Sequence, residues 1–164
     1  MVVTYRPNLI ANAFIYKAKL LGLPLTHMKL QKLVFFMHAW SLALRGSSVV
    51  SERPDAWTYG PVFESLYHSL KSNGSSPVGE YLTMINPQSG QLQALIPNLE
   101  DKEFWTLLDQ VWDRYGKFSA LELSALTHEA GGPWSQAREA RVESLDDTQV
   151  RNYYRSKLIS PHVN

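Results

Sequence analysis

The sequence predicts a mainly α fold, a compact single-domain helical bundle with a central apolar helix and a small β-hairpin. Three observations lead there. Apolar residues recur at three- and four-residue spacing through most of the chain. Residues 30–44 carry Leu30, Leu33, Val34, Met37, Trp40 and Leu44 plus Phe35 and Phe36, a face so wide that it belongs at the centre of a bundle. Strand-like runs are confined to 75–97, where the composition shifts to Gly, Pro, Ser and Gln.

The elements follow in order. Pro7-Asn8 can start a first helix bearing Ile10, Ala13, Phe14, Ala18 and Leu21, which Gly22 and Pro24 stop. Thr26 can cap the central helix, and Gly46 ends it. Residues 56–59 read as extended or irregular, and Gly60-Pro61 as the start of a third helix with Val62, Leu66 and Leu70. Runs 81–85 and 91–96 flank a five-residue loop, 86–90, as a hairpin. Asn98 can cap a fourth helix, in which Phe104, Leu107, Leu108, Val111, Trp112 and Tyr115 form an apolar stripe before Gly116. Ser119 and Glu122 are spaced as a capping box, and Pro133 opens another helix. Residues 144–147 have the composition of a cap for a last helix with Val150, Tyr153, Tyr154 and Leu158 on one face.

Bulk properties narrow the function. At 164 residues the chain suits one domain burying about 68–70% of its unfolded surface. Sixteen Lys and Arg against 15 acidic residues leave a net charge of +1, so no overall field draws in nucleic acid. The chain has no cysteine, hence no disulfide, thiol nucleophile or thiolate-held metal, which fits a cytoplasmic setting. The run LVFFMHAWSLAL is broken by His38 and Ser41 and is shorter than the ~20 residues of a spanning helix, and no secretory leader is legible.

The chemistry-bearing residues carry no catalytic signature. His27, His38, His68 and His128 form no pair three or four apart on one helix, so structural roles are expected of each. No G-x-S-x-G elbow or phosphate-binding glycine loop is present. Glu100-Asp101 and Asp146-Asp147 sit at helix starts, where capping accounts for them. Arg138, Arg141, Arg151, Arg155 and Lys157 are interleaved with acids, as on a solvated face. Trp105 falls beside the stripe of its helix, which makes it a candidate partner contact unless the hairpin covers it. The stretch LTHEAGGPW lacks the second histidine of a zinc-hydrolase motif, with Gly132 four after His128. It reads as a helix end, a reversal and a restart, with Glu129 solvated and Trp134 buried deeply enough that Trp134→Ala would cost about 3–5 kcal/mol.

Three segments then resemble one family. LTHMKLQKLVFFMHAW holds Leu30, Gln31, Lys32 and Leu33 before Val34 and Phe35; AWTYGPVFESLY holds Trp57, Gly60, Pro61, Val62 and Tyr67. VWDRYGKFSALELSALTHEAGGPW holds Trp112, Tyr115, Gly116, Thr127, His128, Pro133 and Trp134. In order and spacing they are similar to the Panacea antitoxin domain, also described as SocA-like and phage-associated, with motifs over about 26–138 of a single domain 1–164 and no match for a C-terminal helix in 142–164. The resemblance implies a binding module without cofactor, metal or reaction, whose partner is a protein toxin, usually encoded alongside, that is blocked or delivered to a host protease. It also implies that the motif residues are mainly scaffold, leaving specificity to exposed parts of the hairpin, the helix with Trp105 or the C-terminal segment. Two other readings stand beside it: a phage or mobile-element accessory protein that binds a host or phage factor without a toxin, and a metal-dependent enzyme using His38, His68 or His128.

Overall fold

A computed structural model describes residues 3–159. Its described residues form seven helices and two antiparallel two-stranded hairpins. Helix α2 (His27–Arg45) is the axis, with every residue from Leu30 to Ala43 buried. The apolar face is wide because the other elements cover it on all sides: α1 (Pro7–Leu21), α3 (Glu64–Leu70), α4 (Lys102–Tyr115), α5 (Ala120–Thr127) and α7 (Asp147–Ile159) all pack on it. A short helix, α6 (Pro133–Ala140), bridges α7 and the first hairpin.

Local chemistry sets most of the boundaries. The Thr26 hydroxyl accepts from Lys29 N at 3.3 Å to open α2, and Gly46, at φ 80°, closes it in the left-handed conformation that glycine adopts without penalty. Ser119 and Glu122 form the expected capping box of α5. Asp101 accepts from Phe104 N at 3.1 Å, so it caps α4 in place of Asn98, whose side chain takes Glu100 N three residues earlier. Asp146 accepts from Gln149 N at 3.0 Å ahead of α7.

Two sequence expectations need correction. Gly60-Pro61 does not start a helix: β1 (Asp55–Trp57) pairs with β2 (Gly60–Val62), and α3 begins only at Glu64. The reason is that the groups a helix would use are taken from outside. Lys32 donates to Pro61 O, and Phe63 N donates to the Gln31 amide oxygen. The second hairpin is shorter than expected, β3 (Thr83–Ile85) with β4 (Leu92–Ala94) in the register Thr83↔Ala94. Its flanks leave the ladder because Asn12, fully buried on α1, takes them: its amide nitrogen donates to Leu82 O and Leu95 O, both at 2.8 Å, and its oxygen accepts from Leu82 N at 2.7 Å.

The C-terminal segment is part of the core. Leu145, Val150 and Tyr154 are buried, whereas Leu158 and, on α2, Leu44 fall off their stripes and are exposed. Arg155 Nε caps the end of α2 by donating to Ala43 O at 2.9 Å. Tyr154 stands edge-on to Trp40, while Phe36 stacks on Tyr115 at 3.8 Å and Trp40 Nε1 donates to the Tyr115 hydroxyl at 2.7 Å.

Replacing Asn12 by Ala strands three backbone groups that flank the second hairpin. We expect a loss of about 2–4 kcal/mol in urea unfolding, with protease cutting near 82–95 accelerated relative to the rest of the chain.

Candidate functional site

The first hairpin is too short to hold itself, since an isolated two-stranded ribbon is marginal in water. Side chains from three helices hold its carbonyls instead. Arg138 Nη1 donates to Ala56 O at 3.0 Å, Trp134 Nε1 to Trp57 O at 2.8 Å and Ser124 Oγ to Tyr59 O at 2.6 Å. Lys32 Nζ donates to Pro61 O at 3.1 Å and Gln31 Nε2 to Phe63 O at 3.2 Å. Five donors on α2, α5 and α6 thus fix one ribbon.

Lys32 is the unusual member. Its side chain is 1% exposed, and it forms no ion pair with any described residue. Burial alone pushes its ammonium down to about 8 from the ordinary 10.5. Gly60 makes room for it: the backbone there has φ +117°, and a Cβ would lie 2.8 Å from Lys32 Cε and 2.8 Å from Thr127 Oγ1.

Between this hairpin and the start of α2 lies a cavity of about 850 Å³. Gln31 and Lys32 line it at depth, with Met28, Val62, Trp57 and Tyr67 among its apolar lining; the Trp57 and Tyr67 rings meet edge to face at 4.8 Å. His27 lies 5.4 Å from the Tyr67 ring, and burial followed by the nearby Lys32 charge lowers its basicity. Tyr59 and Leu121 also line the cavity and are 67% and 74% exposed. No aspartate or glutamate contributes to the lining. The volume is of the size that accommodates a bound side chain or small molecule.

The motif residues divide between this site and the core. Leu30, Leu33, Trp112 and Tyr115 are core. Gly116 is buried and gives its carbonyl to Lys29 Nζ at 2.6 Å. Gln31, Lys32, Trp57, Val62 and Tyr67 line the cavity, Gly60 and Pro61 hold Lys32, and Thr127 packs beneath Gly60. His128 stacks on Trp134 at 3.8 Å and 8°, and burial lowers its basicity first, Lys32 second. Pro133 occupies the first turn of α6. Sequence reasoning missed Ser124, Met28, Tyr59 and Leu121; only Tyr59, inside AWTYGP, stood next to a recognised motif residue.

Several single-residue expectations resolve differently. Trp134 is half-buried, so its truncation costs less than a fully emptied indole site, about 2 kcal/mol including the lost bond to Trp57 O. Glu129 is not free: burial disfavours its charge, but the Tyr153 hydroxyl, which donates to it, and Lys157 Nζ at 3.0 Å outweigh that and hold its carboxyl below the usual carboxylate pKa. Trp105 lies outside the cavity lining. It is half-buried, donates to Asn98 O at 3.0 Å and meets Tyr16 edge-on at 6.4 Å, so a loop and α1 cover it rather than the hairpin. The histidines stay apart. His38 bonds Ser48 Oγ at 2.6 Å and Asp147 at 3.1 Å, and His68 lies exposed beside Glu64. Among the described residues no group of three or more His, Asp or Glu is placed to hold a metal.

The fold and site define a helical domain in which a clamped ribbon walls a cationic cavity. Residues 30–135 match the family described as antitoxin SocA-like, Panacea domain, and the chain belongs to that family. It is 30% identical over 160 residues, 94% of this chain and 85% of the relative, to the antitoxin SocA of Caulobacter vibrioides strain NA1000 / CB15N. No solved structure matches it. No helix among the described residues is long and apolar enough to cross a membrane.

Two outcomes test the clamp. Lys32 has a folded-state pKa of about 8 against an ordinary value of 10.5, so between these the unfolded chain binds the extra proton and stability rises with pH, by up to about 1.4 kcal/mol per unit. Tyr5, raised to about 12, opposes this only above pH 10, where the unfolded chain loses its tyrosine protons first. Urea unfolding from pH 8 to 10 should show the rise, and Lys32→Met should reduce it, leaving what Lys29, whose basicity burial also lowers, contributes. Gly60→Ala should destabilise by about 3 kcal/mol, because the positive φ and the approach of Lys32 act together.

Proposed function

We propose that the protein is an antitoxin that neutralises a protein toxin by direct association, acting in the cytoplasm without cofactor or catalysis. The observation that carries this reading is the 30% identity to antitoxin SocA over 94% of the chain, together with the family match across 30–135. The site is compatible with it: a rigid ribbon, exposed aromatic and aliphatic groups and a deep cavity are what a protein-binding surface needs, because anchors dock into preformed pockets at low ordering cost. The toxin is the product of an adjacent gene. Direct blockade and presentation of the toxin to a host protease are both routes that such binding opens.

Expressing the adjacent gene alone and together with this protein tests the proposal. Growth arrest by the neighbour that co-expression relieves, with the two proteins co-purifying, is the expected result. A neighbour that is harmless alone yet binds would assign the protein to the accessory class, and a neighbour that neither arrests growth nor binds would remove the antitoxin reading. Toxin half-life measured with and without the antitoxin separates blockade from delivery.

A further inference from the structure

The cavity beside the first hairpin is electrically one-sided. Lys32 lies at its depth, its ammonium offering three N–H groups and spending one on Pro61 O, with no carboxylate paired to it among the described residues. Arg138, also in the lining, is exposed and forms no ion pair among the described residues. No acidic side chain answers either cation. Tyr59 and Leu121, at 67% and 74% exposure, place an aromatic ring and an isobutyl group in contact with solvent at the same cavity.

We propose that this cavity is where the protein partner docks, receiving an acidic anchor residue whose carboxylate reaches Lys32 while apolar neighbours pack on Tyr59 and Leu121. The proposal rests on the antitoxin reading and supplies the surface and the partner chemistry that it lacks. The argument for an acidic anchor is electrostatic. Lys32 is already stripped of water in the free protein, so an incoming carboxylate meets a charge whose desolvation occurred during folding. The argument for a polypeptide is the rim. Exposed aromatic and aliphatic groups around a pocket form the ring that excludes water from an anchor, which a ligand confined to the interior would leave unused. The exposed pair on the second hairpin, Ile85 and Leu92, lies outside this cavity and its cations and carries no comparable case.

The test is calorimetric titration of purified partner, the adjacent gene product, into the wild-type protein and a set of variants. Lys32→Met removes the charge in a site that favours apolar groups, and Leu121→Asp places a like charge at the mouth. Ser75, exposed and in the lining, gives a matched pair in Ser75→Asp and Ser75→Lys. Leu20→Ser, on the exposed side of α1, is the control. We expect Lys32→Met and Leu121→Asp to weaken binding about 10- to 100-fold, Ser75→Asp to weaken it, Ser75→Lys to preserve or strengthen it, and Leu20→Ser to change nothing. Melting temperatures identify any variant that fails to fold, and the Ser75 pair then decides alone.

Wild-type binding with unaffected Lys32→Met, or equal effects of the two Ser75 variants, overturns the acidic anchor and leaves the antitoxin reading in place. Absence of wild-type binding overturns both. A wild-type dimer in light scattering that Leu121→Asp dissociates assigns the face to self-association and also overturns the proposal. So does a cavity that binds 3-phenylpropionate in NMR titration while partner binding ignores Lys32→Met, since the occupant is then a free organic anion.

Discussion

A buried lysine that forms no ion pair among the described residues is the constraint around which this molecule is arranged. Keeping Lys32 in place requires that the residue across from it have no Cβ, which Gly60 provides, and that a carbonyl be turned toward the ammonium, which Pro61 provides. Those two requirements determine the path of the chain from Ala56 to Phe63, because a glycine at φ +117° followed by proline cannot be helical. Thr127 closes the same space from α5, and its own hydroxyl turns back to Ser124 O. A charge that destabilises the fold locally therefore fixes the geometry of three elements.

The ribbon itself is held by a different kind of stability from that of the core. Around α2 the energy comes from apolar burial, which is non-directional and tolerates volume-conserving exchange. In β1 and β2 it comes from single hydrogen bonds between side chains and named carbonyls, each directional and each lost with one substitution. Such a wall is stiff where it faces the cavity and has no second ladder to slide along, so the cavity is shaped before any partner arrives.

Much of the helical plan was legible because amphipathic spacing and capping act locally: the α4 stripe, the Ser119–Glu122 box and the Thr26 and Gly46 boundaries of α2 follow from neighbouring residues alone. The ribbon was not legible. Gly-Pro opens a helix when nothing else claims its carbonyls, and the claimants here, Gln31 and Lys32, lie about thirty residues away in sequence. The second hairpin was found but drawn too long for the same reason, since Asn12 reaches it across 70 positions. The motif residues were legible as a set, and their convergence was not: spacing along α2 and around AWTYGP says nothing of a shared cavity. Leu121 and Ser124 carried no signal, being ordinary residues of a short capped helix.

The pairing of His38 with Asp147 bears on how this protein can be divided. His38 sits in the middle of the central helix and Asp147 lies twelve residues past the end of the family match at 135. Between and beyond them Leu145, Val150 and Tyr154 fill the core, and Arg155 closes the end of α2. The stretch that matches the family is thus smaller than the stretch that folds. A gene fusion, a chimaera or a shortened version cut at the recognisable boundary would expose one flank of the central helix to water. Exchange of this module between proteins is physically viable only when its trailing helix travels with it.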